Sequence, residues 1–374
     1  MLVWAREQVG YTLEQGAEAI GISVNALRAA ESGEGSLTLN QLRKAAEKYD
    51  CPFGYFYLSE LPHKKSFQPV PDYRIEPGST GVEHHRLKLE IKKVRDRRLV
   101  YMDLSESLGT DLKRFEQYRV LDPVESAGAI RERLGISATD IQHLPVDQVY
   151  AYWKGKIEND GVLVYESQYI PESSGVLGAA IFYEVYPIIL VRRGGEVNDR
   201  KLFTLLHEYA HLLLGESAIN DAGAQTTTDT QTDKGRLEAL CNQIAGEILV
   251  PTTSVRESDY AELSSVGKME RLSAEYKVTY STAAVRLRRL DFISADDLTS
   301  LLRQRYAAYQ KKQSKEGGDA RIPRHILMKL DLGKPMFDAV LTAYSVGALD
   351  VLDASRLLHL RVNRVDKLLA GKTQ

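Results

Sequence analysis

The chain has 374 residues, 43% of them hydrophobic and 27% charged, and a formal net charge of −2; it is long enough for two or three domains and carries no global charge signature of a nucleic-acid or membrane-surface protein. Its only cysteines, Cys51 and Cys241, cannot make a disulfide framework and neither lies in a C-x-x-C pair, so a reducing cytoplasm is the expected compartment. Arg6 and Glu7 follow Met-Leu-Val-Trp-Ala directly, so no signal core is expected, and apolar runs such as 188–191 are far too short to span a bilayer.

Residues 1 to about 60 read as short helices. The first covers 12–19, a turn at Ile20-Gly21-Ile22 follows, Ser23 caps a second helix to residue 31, Gly33 stops it, and 39–49 makes another. A stretch with Pro62, Pro69, Pro71, Pro77, Gly78 and Gly81 reads as a linker. Residues 83–118 read as helical and basic at the start, with Arg86, Lys88, Lys92, Lys93, Arg95, Arg97 and Arg98 around Leu87, Ile91 and Val94; this run is expected to be a solvated helix face, with nucleic-acid contact the second reading. Helices near 123–134 and 146–157 lead into three strands at 161–166, 178–183 and 187–192. A leucine-rich helix comes next, then a polar stretch, 217–235, without apolar periodicity, read as a loop that could serve as a lid or a plain connection. A helix over 236–251 ends at Pro251, 311–321 is a second linker, and 322–374 reads as a small helical unit. The expected domains are 1–62, 63–122 (linker and basic helical region), 123–310 and 322–374, in an α+β chain.

The leucine-rich helix, LFTLLHEYAHLLLGE (202–216), carries H-E-x-x-H at His207, Glu208 and His211. With eight histidines and 28 glutamates in the chain, random placement gives about 0.01 such motifs. Histidines four apart lie one above the other on a helix, so both imidazoles can reach one ion. Leu202, Leu205, Leu206, Ala210, Leu212 and Leu213 cover the remaining surface, so the helix is expected to be buried nearly all round, and buried histidines need partners. Asp199 is its expected N-cap and Gly215 its expected C-cap. A catalytic zinc needs a third protein ligand. Glu238 is the candidate, on the shoulder of the helix 236–251 in one row with Asn242, Ala245 and Leu249. By itself the position also reads as a surface glutamate, with Asp229 and Asp233 next in line as ligands.

These two helices resemble the ImmA/IrrE family of zinc metallopeptidases, whose pattern is H-E-x-x-H, a variable loop and then E-x-x-A-N-x-F-A-x-x-L-L-x-P. Cys241 stands where alanine is usual and Ile244 where phenylalanine is usual, changes of packing that leave the ligands alone. The resemblance is strongest over about 160–290. It implies a zincin-like domain with a small mixed sheet, zinc as cofactor, His207, His211 and Glu238 as its ligands and Glu208 as general base. It also implies an endopeptidase that cleaves a regulatory protein, a helix-turn-helix repressor or an antitoxin, in a stress or mobile-element response. Glu208 would take a proton from a zinc-activated water and pass it to the leaving amine. The strand 187–192 could hold substrate as an added strand, and Tyr276 or Tyr280 is a candidate oxyanion stabiliser.

Residues 11–49 resemble an XRE-type helix-turn-helix, with the Gly21 turn, Ser23 as cap, Leu27 in the core and Glu31 two residues before Gly33. Such a domain puts its second helix in the major groove. Of the reading positions Val24, Asn25 and Ala29, only Asn25 can contact a base edge with two hydrogen bonds. Leu13 replaces the usual glutamine, and residues 1–65 hold seven Lys/Arg against eight Asp/Glu, so there is no basic footprint. Asn25 and Arg28 are the DNA-contact candidates within 12–31, and docking of a protein partner is the other reading. The alternative function is a DNA-binding regulator whose zinc domain senses or scaffolds without proteolysis; a third is an antitoxin-like binding protein. An intact Glu208 favours the enzyme, because a scaffold needs the ligands but not the base.

Overall fold

The computed structural model describes residues 1–9, 11–58, 81–118, 122–170, 174–194, 200–221, 232–313 and 324–372. The chain is α+β and divides into two compact units, Met1–Lys93 with Tyr169–Ser174, and Val94–Gln168 with Gly175–Gln374. Among the described residues, no helix is long and apolar enough to cross a membrane.

In the first unit, α1 (Leu2–Gln8), α2 (Leu13–Ile20), α3 (Val24–Ser32) and α4 (Leu39–Lys48) are followed by a 3-10 turn at Phe53–Tyr57. The expected punctuation is present: Thr12, Ser23 and Thr38 cap α2, α3 and α4, while Gly21 and Gly33 are left-handed at φ +80°. The sequence does not signal α1, which has no side-chain cap. What holds it is Arg6, whose guanidinium donates to both Glu31 oxygens at 2.6 and 3.0 Å. Gly16 makes room for that arginine, since an added Cβ would lie 2.6 Å from Arg6 Cδ. Ala5, Ile20, Leu27, Ala45 and Tyr49 form the core.

α5 (Gly81–Ser107) is shorter than the helix expected over 83–118. It stops because Gly109 is left-handed (φ +65°), with Thr110 N–H on Ser105 O at 2.8 Å. Its basic residues in the second unit are not a solvated face. Arg95 donates to Tyr183 Oη at 2.8 Å, Arg97 to Asp331 O at 2.5 Å, and Arg98 to the carbonyls of Val185 and Tyr186 at 2.6 and 2.9 Å. These cations satisfy a tyrosine hydroxyl and backbone carbonyls of the second unit, which sequence periodicity cannot anticipate.

Then come α6 (Pro123–Arg133), α7 (Ala138–Gln142), α8 (Val146–Asn159), β1 (Leu163–Ser167), β2 (Val176–Ile181), β3 (Ile188–Arg192), α9 (Lys201–Leu213), β4 (Ala218–Asp221) and α10 (Asp233–Leu249). The sheet order is β1-β3-β2-β4, with β1 and β3 parallel and the other pairs antiparallel. Every residue of β1, β2 and β3 is buried, which is why these strands read as continuous apolar runs. Two expectations are corrected. β3 is central and hydrogen-bonded on both edges, so it cannot accept a substrate strand. Part of the stretch read as a loop is β4, and its residues 222–231 lie outside the described residues.

α11 (Ser265–Tyr276), α12 (Tyr280–Arg289) and α13 (Ala295–Gln313) complete the larger core, which also takes in Trp153, Leu205, Leu206 and Ile244. α14 (Arg324–Leu332), α15 (Lys334–Ser345), α16 (Val351–Leu357) and α17 (Val362–Lys372) have a separate core with Met328, Phe337, Val340, Leu358 and Val365.

Candidate metal centre

α9 begins at Arg200 without a side-chain cap, and Asp199, the expected cap, lies outside the described residues. An ion cluster anchors this end. Lys201, the first helical residue, pairs with Glu166 of β1, which also accepts from Lys154 of α8 at 3.2 Å. Burial alone would raise the Glu166 carboxyl, but the two ammonium groups outweigh it and hold it below the usual range. At the other end Gly215 is left-handed (φ +76°), with its N–H on Leu212 O at 2.9 Å and Glu216 N–H on His211 O at 3.0 Å. Leu214 is therefore the cap and Gly215 the residue after it. From Thr204 to Leu213 every residue is buried.

His207 Nε2 lies 3.1 Å from His211 Nε2 and 3.2 Å from Glu238 Oε2, and His211 Nε2 lies 3.5 Å from Glu238 Oε1. Four ligands held tetrahedrally at 2.0–2.1 Å from one ion sit about 3.3 Å apart, so the three side chains are spaced as the edges of such a polyhedron. Both histidines are fully buried and Glu238 is 5% exposed; the surface-glutamate reading of Glu238 is corrected. Burial lowers His207, and its hydrogen bond to Glu238 does not offset this. Burial alone would raise Glu238, but hydrogen bonds to His207 and His211 outweigh it and hold it far below the usual carboxylate range. A His207 imidazole held towards its neutral form beside an ionised Glu238 carboxylate is a donor pair that suits a cation. Among the described residues these three are the group brought together as potential ligands. Asp233 is not part of it: its side chain is 96% exposed and pairs with Arg236. Asp229 lies outside the described residues.

Glu208 is fully buried on the side of α9 that meets β2. Gly178 of β2 makes that position available: a Cβ there would lie 2.9 Å from Glu208 Oε1 and 2.7 Å from Thr204 Cγ2. Sequence reasoning gave Gly178 no role, since a glycine in an apolar strand reads as a weak point. It gave none to Asn242 either, which is buried and, one turn along α10 from Glu238, acts on the His207 ring.

A groove is lined by Arg200 and Phe203 at the start of α9, Asn242 and Gly246 of α10, and Thr282, Val285 and Arg289 of α12. The Phe203 ring stands 6.3 Å from that of His207, and Arg289 Nη1 donates to Asn242 O at 3.3 Å. Of the tyrosines considered as oxyanion stabilisers, Tyr276 is not brought here. Tyr276 hydrogen-bonds Ser254 at 2.9 Å in a pocket with Pro251. That pocket lies past the end of α10, about 20 Å along the helix from Glu238. Tyr280 opens α12, whose next residues, Ser281 and Thr282, line the same groove. In the other unit, Asn25 and Arg28 are exposed on α3, with Arg28 Nη1 donating to Asn25 Oδ1 at 3.1 Å.

Comparison with known proteins gives two matches to family models: residues 173–288 to the IrrE N-terminal-like domain, a peptidase family, and residues 2–56 to a helix-turn-helix. No curated protein and no solved structure matches the chain. The larger segment contains α9, α10 and the whole His207, His211 and Glu238 cluster. The chain therefore joins a helix-turn-helix domain at residues 2–56 to an IrrE N-terminal-like peptidase domain at 173–288, the pairing that the resemblance to ImmA/IrrE proteins implies.

Proposed function

We propose that this chain is a zinc-dependent endopeptidase of the ImmA/IrrE type, with His207, His211 and Glu238 as metal ligands and Glu208 as general base. The observation that carries the reading is the convergence of three buried side chains, with the two Nε2 atoms 3.1 Å apart and the Glu238 carboxylate oxygens 3.2 and 3.5 Å from them. When bound, zinc supplies a polarised carbonyl and a water of pKa about 7. Glu208, adjacent to His207 but outside the ligand cluster, accepts the water's proton and returns it to the leaving amine. An extended substrate would pair with β4, which has β2 as its one neighbour in the sheet among the described residues. In the groove Arg200 and Arg289 favour an acidic side chain on the substrate.

The substrate is a regulatory protein of the cytoplasm, a helix-turn-helix repressor or an antitoxin, cut in a stress or mobile-element response. The N-terminal module recruits it, or positions the enzyme on DNA through Asn25 and Arg28. The helix-turn-helix match favours one second reading, a DNA-binding regulator whose zinc domain scaffolds without cutting. Incubating zinc-loaded wild type and Glu208→Gln with a panel of purified repressors and antitoxins, read by mass spectrometry, separates the two. The enzyme reading expects cleavage by wild type alone, and identical products from both proteins would reject Glu208 as base.

A further inference from the structure

Residues 334–372 hold three helices, and the last two carry a pattern of their own. α16 and α17 are joined by residues 358–361. The turn passes through His359 in the left-handed region (φ +51°), with His359 N–H on Arg356 O at 3.1 Å and Leu360 N–H on Ser355 O at 2.9 Å. Ala354 of α16, Leu358 at the start of the turn and Val365 after it are fully buried and share one core with Phe337, Val340 and Leu341 of α15. A small buried residue in the first helix lets the second lie close across it. Two short helices, a four-residue turn and a third helix beneath them make a helix-turn-helix.

The outer face of α17 has a composition that the N-terminal module lacks. Arg361, Val362, Asn363, Arg364 and Lys367 are exposed around its first turns. Over 351–372 there are five Lys/Arg against two acidic residues, and both carboxylates are already engaged. Asp366 accepts from the Tyr344 hydroxyl at 2.6 Å, and Asp353 pairs with Arg356 at 3.2 Å. The positive charge of Arg361, Arg364 and Lys367 is thus left facing outward. Arginine and asparagine are the side chains that make paired hydrogen bonds to guanine and adenine edges, and a neighbouring apolar group suits a thymine methyl.

We propose that residues 334–372 form a second helix-turn-helix that binds duplex DNA. α17 enters the major groove, Asn363 and Arg364 contact base edges, and Arg361 and Lys367 contact phosphates. The chain then carries a DNA-reading module beyond its peptidase domain, whatever the N-terminal module does.

The test uses the full chain and a random-sequence DNA duplex of about 30 base pairs, long enough for a half-site on any face. Binding is followed by fluorescence anisotropy between about 50 and 200 mM salt. The triple variant Arg361→Ala, Arg364→Ala, Lys367→Ala changes exposed side chains alone, and an unchanged melting temperature verifies its fold. Expected is a loss of about tenfold or more in affinity. The salt slope should fall by about 0.9 for each phosphate contact removed. Equal affinity and slope in wild type and triple variant would overturn the proposal, whether α3 then carries the binding or neither protein binds. A single-stranded RNA of the same length that competes as well as the duplex would overturn it too.

Discussion

Gly178→Ala is the substitution that most sharply separates the proposed base from the proposed ligands. The new Cβ would stand 2.7 Å from Thr204 Cγ2, 2.9 Å from Glu208 Oε1 and 3.0 Å from Glu208 Cγ. Ordinary contacts lie at about 3.5–4.0 Å, so both side chains must retreat by about half an ångström or more. α9 is fully buried here and has little space to give. Overpacking of this kind costs about 1–3 kcal/mol. A misplacement of about 1 Å can cost a hundredfold in rate, so half of that points to a fall in kcat of about tenfold or more. His207, His211 and Glu238 are not among the three nearest atoms, so zinc content should stay at the wild-type level. Adding Thr204→Ser removes the closest clashing carbon and should recover stability but not rate, because Glu208 is still displaced. The assay is cleavage of the repressor identified by the screen, with melting temperature and metal content measured in parallel. A Gly178→Ala enzyme with wild-type kcat would refute the placement of Glu208 as base, and so would full recovery of rate in the double variant.

Stripping metal with a chelator should lower the melting temperature and rezincing should restore it. At a thousandfold excess over Kd, zinc contributes about 4 kcal/mol, or about 8–16 °C for a domain of this size; His207→Ala, His211→Ala and Glu238→Ala should each lose the response, and retention in all three would place the metal elsewhere. Burial raises the Glu158 carboxyl from 4.5 to about 7, against the pull of Lys154 at 3.9 Å. Folding therefore favours the protonated form, so the group is neutral for stability at low pH and destabilises increasingly as pH climbs through that window, by about 3 kcal/mol at its top. Glu158→Gln should match wild type near pH 4.5 and exceed it at about pH 8, and denaturant melts showing the same difference at both pH values would contradict this. Glu166→Gln leaves the Lys154 and Lys201 ammonium groups facing a neutral amide at the foot of α9 and should cost about 3–5 kcal/mol; a loss below about 1 kcal/mol would mean that the cluster does not anchor the helix.

What the sequence makes legible here is what is local. His207, Glu208 and His211 fall within two turns of one helix, so their mutual geometry follows from helix pitch alone. Glu238 needed a second helix brought alongside, and the resemblance supplied what spacing left open. The N-terminal caps were readable because Thr12, Ser23 and the two left-handed glycines each act within a few residues. The features missed depend on partners far along the chain. α1 is held by an ion pair spanning 25 residues, and Arg95 and Arg98 of α5 end on a tyrosine hydroxyl and on carbonyls more than 80 residues away. Strand order is invisible to periodicity, so nothing local marks β3 as central or β4 as a strand. Gly178 belongs to the same class. Its role exists only because another helix lies against it.

The central claim is that one zinc ion sits among three side chains that are already spaced to hold it. The most direct measurement is a crystal structure of zinc-loaded protein with anomalous data recorded at the zinc edge. Expected is a single anomalous peak bonded to His207 Nε2, His211 Nε2 and a Glu238 oxygen, at about 2.0–2.2 Å from each. A peak bonded to any other residues, or none in zinc-saturated crystals, would contradict it.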